Sequence, residues 1–378
     1  MSAVLRVGTR GSPLARWQAG WLRTELERTA PDLGVELVVI RTESDRQPDL
    51  PITELGTRGV FTRDLEVALL EGRIDVAVHS LKDLPSEEPP GLLLAATSPR
   101  EDPRDALLTL DGRSLADLPP GSRLGTSSLR RTALARATRP NVRVEPLRGN
   151  IDTRLRKLHA GDYDAIVMAL AALRRLGRVV PYTPLDPAEW VPAVAQGIIG
   201  LQARTDDVVT LELLRQVNDA ESFACASAER GVLRSLGGGC SVPVGALATL
   251  ENGSLTLRAL VAAADGSRIL RAARTLPVER SRELVAHVVE DLQSQGAGQV
   301  LAGLRAEVPL LSAPSDTASR PGGDRSYLDS TGPAAPDRQP QGPRPPRLAR
   351  PLEGRRILVT RAAAQARELC ELIAEQGG

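Results

Sequence analysis

The 378-residue sequence is poor in aromatic residues, cysteine and lysine. Aromatic side chains make up 2% of the chain, so aliphatic side chains and alanine must form most of the core. Three cysteines are too few for a disulfide framework and fit a reducing compartment. The sequence also lacks a run of roughly 18 apolar residues, which a membrane span requires, and its N-terminus lacks a secretory signal pattern. These absences predict a cytoplasmic protein.

The charge balance argues against a general electrostatic attraction to nucleic acid or to a membrane, because the net charge is +1. Only Lys82 and Lys157 among the 48 basic residues are lysines. A single arginine therefore carries little functional information here, whereas Lys82 gains weight from its surroundings. No cysteine or histidine group has the spacing of metal ligands, so we expect no metal site.

The first 217 residues alternate between predicted strands and helices. A strand over residues 3–9 leads to a helix that begins after the N-cap Ser12. The alternation continues through further segments, with strands over 35–41 and 74–79, a helix over 61–71, strands over 122–125, 142–147 and 163–168, and helices from about 127 and over 150–160. This order predicts two α/β domains, each with a doubly wound parallel sheet, and a cleft between them. The apolar run over 198–203 is a candidate strand of the first domain.

The sequence changes character after residue 217. A helix over 220–236, three alternating strands up to residue 276 and two further helices predict a small α+β domain. Residues 312–352 contain nine prolines and four glycines in 41 positions, which predicts a disordered linker. Residues 353–378 form one predicted strand and one helix. Because such a unit cannot bury its own apolar face, we interpret it as the truncated start of a second α/β enzyme domain.

Three arginine-containing loops connect a predicted strand to a helix N-terminus, namely Thr9–Pro13, Gly125–Arg131 and Arg148–Arg154. Free N–H groups and the helix dipole favour anions at such positions, and guanidinium groups bind carboxylates through paired hydrogen bonds. Each loop alone fits helix capping with solvated arginines equally well. Together they favour a cleft that binds carboxylates or phosphates.

The segment His79–Pro85 follows a buried strand and places Lys82 next to Asp83. A carboxylate at this position can stabilise a cation or move a proton, although the same pattern fits a local ion pair in a turn. His79 by itself is more typical of a structural role. No catalytic assignment follows from this spacing alone.

The three cysteines lie in different contexts. Cys240 follows three glycines, and such a loop leaves a thiol uncovered, which favours a nucleophilic or attachment role. Cys225 lies in a helical pattern typical of a core position, and Cys370 has no partner motif. Cys240 is therefore the candidate reactive cysteine.

Nine segments, in order along residues 3–305, resemble the porphobilinogen deaminase family. They are TRGSPLA (9–15), VAVHSLKDLP (76–85), EDPRDAL (101–107), GTSSLRR (125–131), LRGNIDTRL (147–155), YDAI (163–166), LRRLG (173–177), PAVAQG (192–197) and GGGCSVPVG (237–245). The resemblance implies two domains like those of periplasmic binding proteins and a third domain that bears a cofactor cysteine. The implied bounds are 1–98 with 197–216, then 99–196, then 217–311.

The resemblance also implies the reaction. Four porphobilinogen molecules would be joined head to tail on a dipyrromethane cofactor, which is bound to Cys240 through a thioether. Ammonia would be released, and hydrolysis would free the linear tetrapyrrole hydroxymethylbilane for haem and other tetrapyrrole biosynthesis. Each substrate carries an acetate and a propionate, so the growing chain gains two negative charges per ring. We also expect a monomer that binds no nucleic acid, membrane or metal.

Residue roles follow from the matched positions. The resemblance assigns catalysis to Asp83, Lys82 and Arg10, with Asp83 contacting pyrrole N–H groups and stabilising cationic intermediates. The implied cofactor-binding residues are Cys240, Asp83, Lys82, Ser80, Thr126, Ser127, Ser128, Arg130, Arg131, Arg148 and Gly149. The implied substrate-binding residues are Arg10, Ser12, Arg148, Arg154, Arg175, Gln196, Phe61 and Arg58.

The chain departs from the family pattern at three places. Arg58 stands where lysine is common, Thr42–Asp45 stands where Thr-Arg-Gly-Asp is common, and Asn218–Ser222 lacks a usual histidine. These changes concern loop closure and domain contacts rather than the reaction.

Two alternative functions remain open at this stage. The first is a non-catalytic, two-lobed anion-binding protein. The second is a truncated bifunctional fusion, because the GRRILVTR strand and following helix in residues 353–378 resemble the start of uroporphyrinogen-III synthase. A functional handover of product to that enzyme would fit the same resemblance.

Overall fold

The computed structural model describes residues 4–41, 62–237 and 242–307, with side chains up to residue 303. Arg58, Phe61, Cys240, the segment Thr42–Asp45, and the predicted segments 312–352 and 353–378 lie outside the described residues. Within the described ranges, each helix is too short or too polar to cross a lipid bilayer.

The first sheet has the strand order β2-β1-β3-β10-β4. Its elements are β1 (Val4–Thr9), α1 (Pro13–Thr29), β2 (Gly34–Val39), α2 (Arg63–Leu70), β3 (Val76–Ser80), β4 (Leu92–Thr97) and β10 (Ile199–Arg204). Strands β1, β2 and β3 are parallel, and β10 runs antiparallel to both β3 and β4. The apolar run at 198–203 is therefore a strand of the first sheet.

The alternation of side chains along β3 makes this sheet doubly wound. Val76 and Val78 pack with Leu22 of α1 on one face of the sheet. Ala77, which points to the opposite face, packs with Leu65 of α2. Because successive strand residues point to opposite faces, one strand can support a helix on each side.

The second sheet repeats this arrangement in the order β7-β6-β8-β5-β9. Its elements are β5 (Asp105–Leu108), β6 (Arg123–Gly125), α3 (Leu129–Thr138), β7 (Arg143–Glu145), α4 (Ile151–His159), β8 (Ala165–Ala169), α5 (Leu170–Arg175) and β9 (Thr183–Pro184). Strands β6, β7 and β8 are parallel, whereas β5 is antiparallel to β8. The expected parallel pairing holds for three strands of each sheet. Strands β5 and β10 run antiparallel to their neighbours, because each enters its sheet directly from a strand of the other sheet rather than through a βαβ crossover.

One further helix, α6 (Val208–Gln216), packs on the first sheet. The remaining elements form a smaller α+β unit, as the sequence predicts. They are α7 (Ala220–Ser235), β11 (Val244–Glu251), β12 (Ser254–Ala262), β13 (Ile269–Pro277), α8 (Ser281–Ser294) and α9 (Ala297–Glu307). Strands β11, β12 and β13 form an antiparallel sheet, and α7 and α8 pack against it. Two doubly wound sheets plus this unit confirm the predicted fold class.

His79 is a buried histidine within the first sheet, which fits a structural role. Its Nε2 lies 3.2 Å from Oε1 of Gln202, and burial lowers the pKa of His79 to about 4. Between its ordinary pKa of about 6.5 and pH 4, the unfolded chain binds a proton that the folded chain excludes. The free energy of unfolding should therefore fall by roughly 2–3 kcal/mol through this group between pH 7.5 and pH 4.5.

Denaturant unfolding at these two pH values tests this expectation. His79→Gln should lose about that much less stability on acidification than the original chain, whereas His287→Gln, at an exposed position, should behave like the original chain. Equal acid sensitivity of the original chain and of His79→Gln would contradict the assignment.

Candidate active site

Lys82 and Asp83 lie on a short 3₁₀ turn, Leu81–Asp83, directly after β3. The flanking Leu81 and Leu84 are almost completely buried and pack into the core of the α+β unit. Arg230 of α7 donates hydrogen bonds to the carbonyl oxygens of Leu84, at 3.1 Å, and of the following proline, at 2.8 Å. The backbone of the turn is thus fixed from two sides. Lys82 and Asp83 are held half-buried just after the C-terminal end of β3.

Arginines attached to the second sheet interact electrostatically with this turn. Arg131 and Arg154 lie in the first turns of α3 and α4, and Arg148 lies in the loop before α4. The pKa of Arg154 is lowered to about 10, mainly by burial and also by the positive charges of Arg131 and Arg148. The negative charge of Asp83 opposes this decrease. Arg154 therefore interacts both with Asp83, which follows a strand of the first sheet, and with two further arginines next to the second sheet.

Lys82 is the cation of this site that changes charge nearest to neutral pH. Its Nζ donates to Oε1 of Gln196 at 3.2 Å. Burial lowers the pKa of Lys82 to about 8, with Asp83 opposing this change and Arg131 adding to it. The ammonium is therefore lost as the pH rises through about 8, while the guanidinium groups stay charged.

Two buried donors at the site have no acceptor among the described residues. They are Nη1 of Arg148 and Nε of Arg131. Leaving a buried donor unsatisfied costs about 1–3 kcal/mol, and more for a charged group. Such donors, next to further cations, suit an anionic ligand with several carboxylates.

The predicted hydroxyl residues mainly hold the loops of the site in shape. The Ser12 hydroxyl caps α1 by accepting from the N–H of Ala15, and the Ser128 hydroxyl caps α3 in the same way. The Ser127 hydroxyl donates to the carbonyl oxygen of Leu147 at 2.9 Å.

The other predicted small residues are also used within the protein. Thr126 is buried and accepts from the N–H of Ser128, and the Ser80 hydroxyl is hydrogen-bonded to Gln18 at 2.8 Å. Gly149 has a φ of 107°, which disfavours any side chain there. A ligand-binding role for these residues stays a prediction.

Three further predicted arginines interact with other parts of the protein. Arg130 is buried and donates to Asp105 and to the carbonyl oxygen of Val191. Arg175 donates to the carbonyl oxygen of Gly197 at 2.7 Å, and its guanidinium carbon lies 5.7 Å from the ring centre of Trp17. The charge of Arg10 adds to burial in lowering the pKa of His79.

The sequence analysis did not identify Asp105, a buried carboxylate that accepts four hydrogen bonds near the site. It accepts from Arg130, Arg131, Gln196 and Trp190. The adjacent arginines in the first turn of α3 could have indicated such a carboxylate. If both are buried, an anion must lie nearby.

Sequence reasoning also missed Glu229, which is completely buried on α7. Its carboxylate accepts from Arg100 and from the backbone N–H groups of Ala195 and Ala248. It thereby connects α7 to both crossing segments, residues 98–104 and 185–198, which link the two sheets.

Several solved structures align with part of this chain. The methionine-binding protein MetQ is 15% identical, with a TM-score of 0.38 over 60% of this chain and 94% of its own. The alkanesulfonate-binding protein SsuA from Xanthomonas axonopodis pv. citri, bound to MOPS, is 16% identical, with a TM-score of 0.33 over 61% of this chain and 74% of its own.

Family models and curated relatives match over most of the chain. Residues 5–212 match the porphobilinogen deaminase dipyromethane cofactor binding domain, and residues 223–294 match the C-terminal domain of the same family. The porphobilinogen deaminase of Syntrophotalea carbinolica is 46% identical over 306 residues, which cover 80% of this chain and 96% of that protein. The Syntrophomonas wolfei protein of the same name is 45% identical and covers 80% of this chain and 99% of its own length. The chain therefore belongs to the porphobilinogen deaminase family.

Proposed function

We propose that this chain joins four porphobilinogen molecules head to tail on a covalently bound dipyrromethane primer, as a transferase of tetrapyrrole biosynthesis. Ammonia is released at each addition, and hydrolysis releases linear hydroxymethylbilane. The observation that carries the proposal is the electrostatic interaction of Lys82 and Asp83 with arginines attached to the other sheet: Arg131 and Arg154 act on Lys82, Asp83 acts on Arg154, and Arg148 acts on Arg154. This arrangement offers one carboxylate to a developing cation and several cations to a polyanionic product.

The residues present fit a dipyrromethane group. The matched family model over residues 5–212 is its binding domain, and the buried Nη1 of Arg148 provides a donor for a carboxylate of the ligand. We propose that Arg131, Arg148 and Arg154 hold its carboxylates and that Cys240 attaches it covalently. When bound, this group supplies the pyrrole carbon to which substrate units are added.

The proposed role of each side chain follows from its charge. The Asp83 carboxylate accepts hydrogen bonds from pyrrole N–H groups and stabilises positive charge as ammonia leaves the substrate. The arginines orient the acetate and propionate groups through paired hydrogen bonds, and Lys82 adds a further positive charge below about pH 8. We further propose substrate-binding roles for Arg10, Arg175 and Gln196.

The helix that holds the catalytic turn supports Cys240 as the attachment point. Arg230 of α7 binds the backbone just after Asp83, and the same helix ends at Ser235, five residues before Cys240 in the sequence. One helix thus connects the carboxylate to the segment that bears the thiol.

Further proposals concern organisation and partners. The domain bounds 1–98 with 197–216, 99–196 and 217–311 stay proposals, as do the substrate-binding roles of Arg58 and Phe61. We also propose that the chain is monomeric and cytoplasmic. The resemblance of residues 353–378 to the start of uroporphyrinogen-III synthase supports a handover of the linear product to that enzyme.

Incubation of the purified full chain with porphobilinogen tests the proposed function. We expect one ammonia per porphobilinogen consumed and a linear tetrapyrrole product, with heat-denatured protein as the control. Direct release of the cyclised type-III isomer would favour the bifunctional alternative. The absence of both turnover and a covalent adduct would favour the anion-binding alternative.

A further inference from the structure

Asp105 is a completely buried carboxylate at the first position of β5, where the chain enters the second sheet. Its Oδ1 accepts from Nη2 of Arg131 at 2.7 Å and from Nε2 of Gln196 at 2.8 Å. Its Oδ2 accepts from Nη2 of Arg130 at 2.7 Å and from Nε1 of Trp190 at 3.0 Å. Four donors therefore use the lone pairs that a carboxylate offers, and its position is fixed from four directions.

The charges of this cluster explain why the carboxylate stays ionised. Burial alone would raise the pKa of Asp105, but the charges of Arg130 and Arg131 outweigh burial and hold the pKa well below its usual value. Arg131 also donates from Nη1 to the carbonyl oxygen of Val167 at 3.0 Å. The hydrogen bonds to Asp105 and Val167 thus fix the orientation of the Arg131 guanidinium, whose positive charge acts on Lys82 and Arg154.

Asp105 also determines the orientation of the Gln196 amide. Nε2 of Gln196 donates to Asp105 and, at 2.8 Å, to the carbonyl oxygen of Pro103. Because both protons of the amide nitrogen are used, its oxygen must point the other way, where it accepts from Nζ of Lys82. A chain of two hydrogen bonds therefore runs from the buried carboxylate to the ammonium next to Asp83.

We propose that Asp105 is a positioning residue, which fixes the guanidinium of Arg131 directly and the ammonium of Lys82 through Gln196. The proposal rests on the proposed function, since it assigns a purpose to the positions of these two cations. Asp105 itself lies behind them and acts only through them.

Asp105→Asn should change the titration of Lys82. The charged groups that face Lys82 are Asp83 on its own turn, Arg131 of α3, Arg154 of α4 and Asp105 of β5. Arg131 and Arg154 lower the pKa of Lys82, and the negative charge of Asp105 partly cancels their effect. Without that charge, the pKa of Lys82 should fall below about 8, by roughly 0.5 or more. An asparagine also offers an NH₂ group that can turn the Gln196 amide around.

The two lysines of the chain allow a direct measurement. Protein grown with ¹³C-labelled lysine gives one Cε signal for Lys82 and one for Lys157, and both are followed against pH in the full chain without substrate. Lys157 is the internal reference. Asp102→Asn is the matched control, because Asp102 is a carboxylate three residues before Asp105 that pairs instead with Arg104, at 2.7 Å.

The expected result is a lower titration midpoint for Lys82 in Asp105→Asn alone, with Lys157 unmoved in every variant. In the same variant kcat/KM for porphobilinogen should fall by roughly 10- to 100-fold, because the two cations lose their fixed positions. A folded Asp105→Asn protein with an unchanged Lys82 midpoint would overturn the proposal.

A second variant decides the matter if Asp105→Asn does not fold. Gln196→Leu keeps both ion pairs of Asp105 but removes the acceptor of Lys82, so the Lys82 midpoint should again fall; an unchanged midpoint would refute the connection. The titration needs no turnover. An original chain without turnover or covalent adduct would therefore overturn the proposed function, while the Lys82 titration still judges Asp105 separately.

Discussion

Asp83→Asn is expected to reduce kcat for porphobilinogen consumption by at least roughly 10²–10³-fold while leaving the fold intact. The asparagine keeps the size of the side chain but removes the negative charge that stabilises a cation as ammonia leaves. The backbone of the turn should be unaffected, since buried leucines and Arg230 hold it. Stopped-time assays of substrate loss, together with thermal unfolding, measure both quantities.

Asp102→Asn provides the control for this variant. Both aspartates are half-buried, but Asp102 pairs with Arg104 and Arg174. It should retain near-original turnover. Near-original turnover of Asp83→Asn would refute the role assigned to the carboxylate.

Cys240→Ser is expected to yield a protein without the dipyrromethane group and without turnover. A serine hydroxyl is a far weaker nucleophile than a thiol, so it should not form the covalent link. Reaction of the denatured protein with a pyrrole-specific colour reagent measures the bound group, and substrate loss measures turnover.

The other two cysteines serve as matched controls for the attachment. Cys225 is buried in α7, and burial raises the pKa of its thiol to about 11, which disfavours the reactive thiolate. Cys225→Ala and Cys370→Ser should both retain the bound pyrroles. A normally loaded Cys240→Ser protein would show that the attachment point lies elsewhere.

Much of the fold could be predicted because hydrophobic periodicity and capping agree with the tertiary structure. The helix beginning after Ser12 is an example, with a serine N-cap, a proline at the first position and a continuous buried face. The strands that escaped prediction are short or depend on their neighbours. The four residues of β5 acquire their pairing only from β8 and β9, which lie far along the chain.

The candidate site could be predicted as a set of residues but not as a geometry. Local patterns indicate that Asp83 and Arg154 lie at strand ends or helix starts, yet they cannot show that loops of two sheets approach each other. Nor do such patterns separate Arg131, which faces the site, from Arg130, which is buried against Asp105 and Val191. That difference arises from helix rotation, because adjacent helical residues point in different directions.

The position of Gln196 next to Lys82 depends on contacts between the two crossing segments and α7. Gly197 has a φ of 92°, and a side chain there would collide with the carbonyl oxygen of Glu101 in the other crossing segment. Arg100 of that segment and Ala195 both bind the buried Glu229. The Gln196 amide therefore reaches Lys82 only because two chain crossings and α7 are packed together.

The attachment of the growing polymer to Cys240 is tested most directly by the intact mass of the purified protein before and after limited addition of porphobilinogen. We expect a starting mass that exceeds that of the unmodified chain by two pyrrole units, and proteolysis should locate the added mass on the peptide that contains Cys240. We also expect a ladder of species that grows by one pyrrole unit at each step. A protein that consumes porphobilinogen while keeping its unmodified mass throughout would contradict the claim that one thiol anchors the growing polymer next to Asp83.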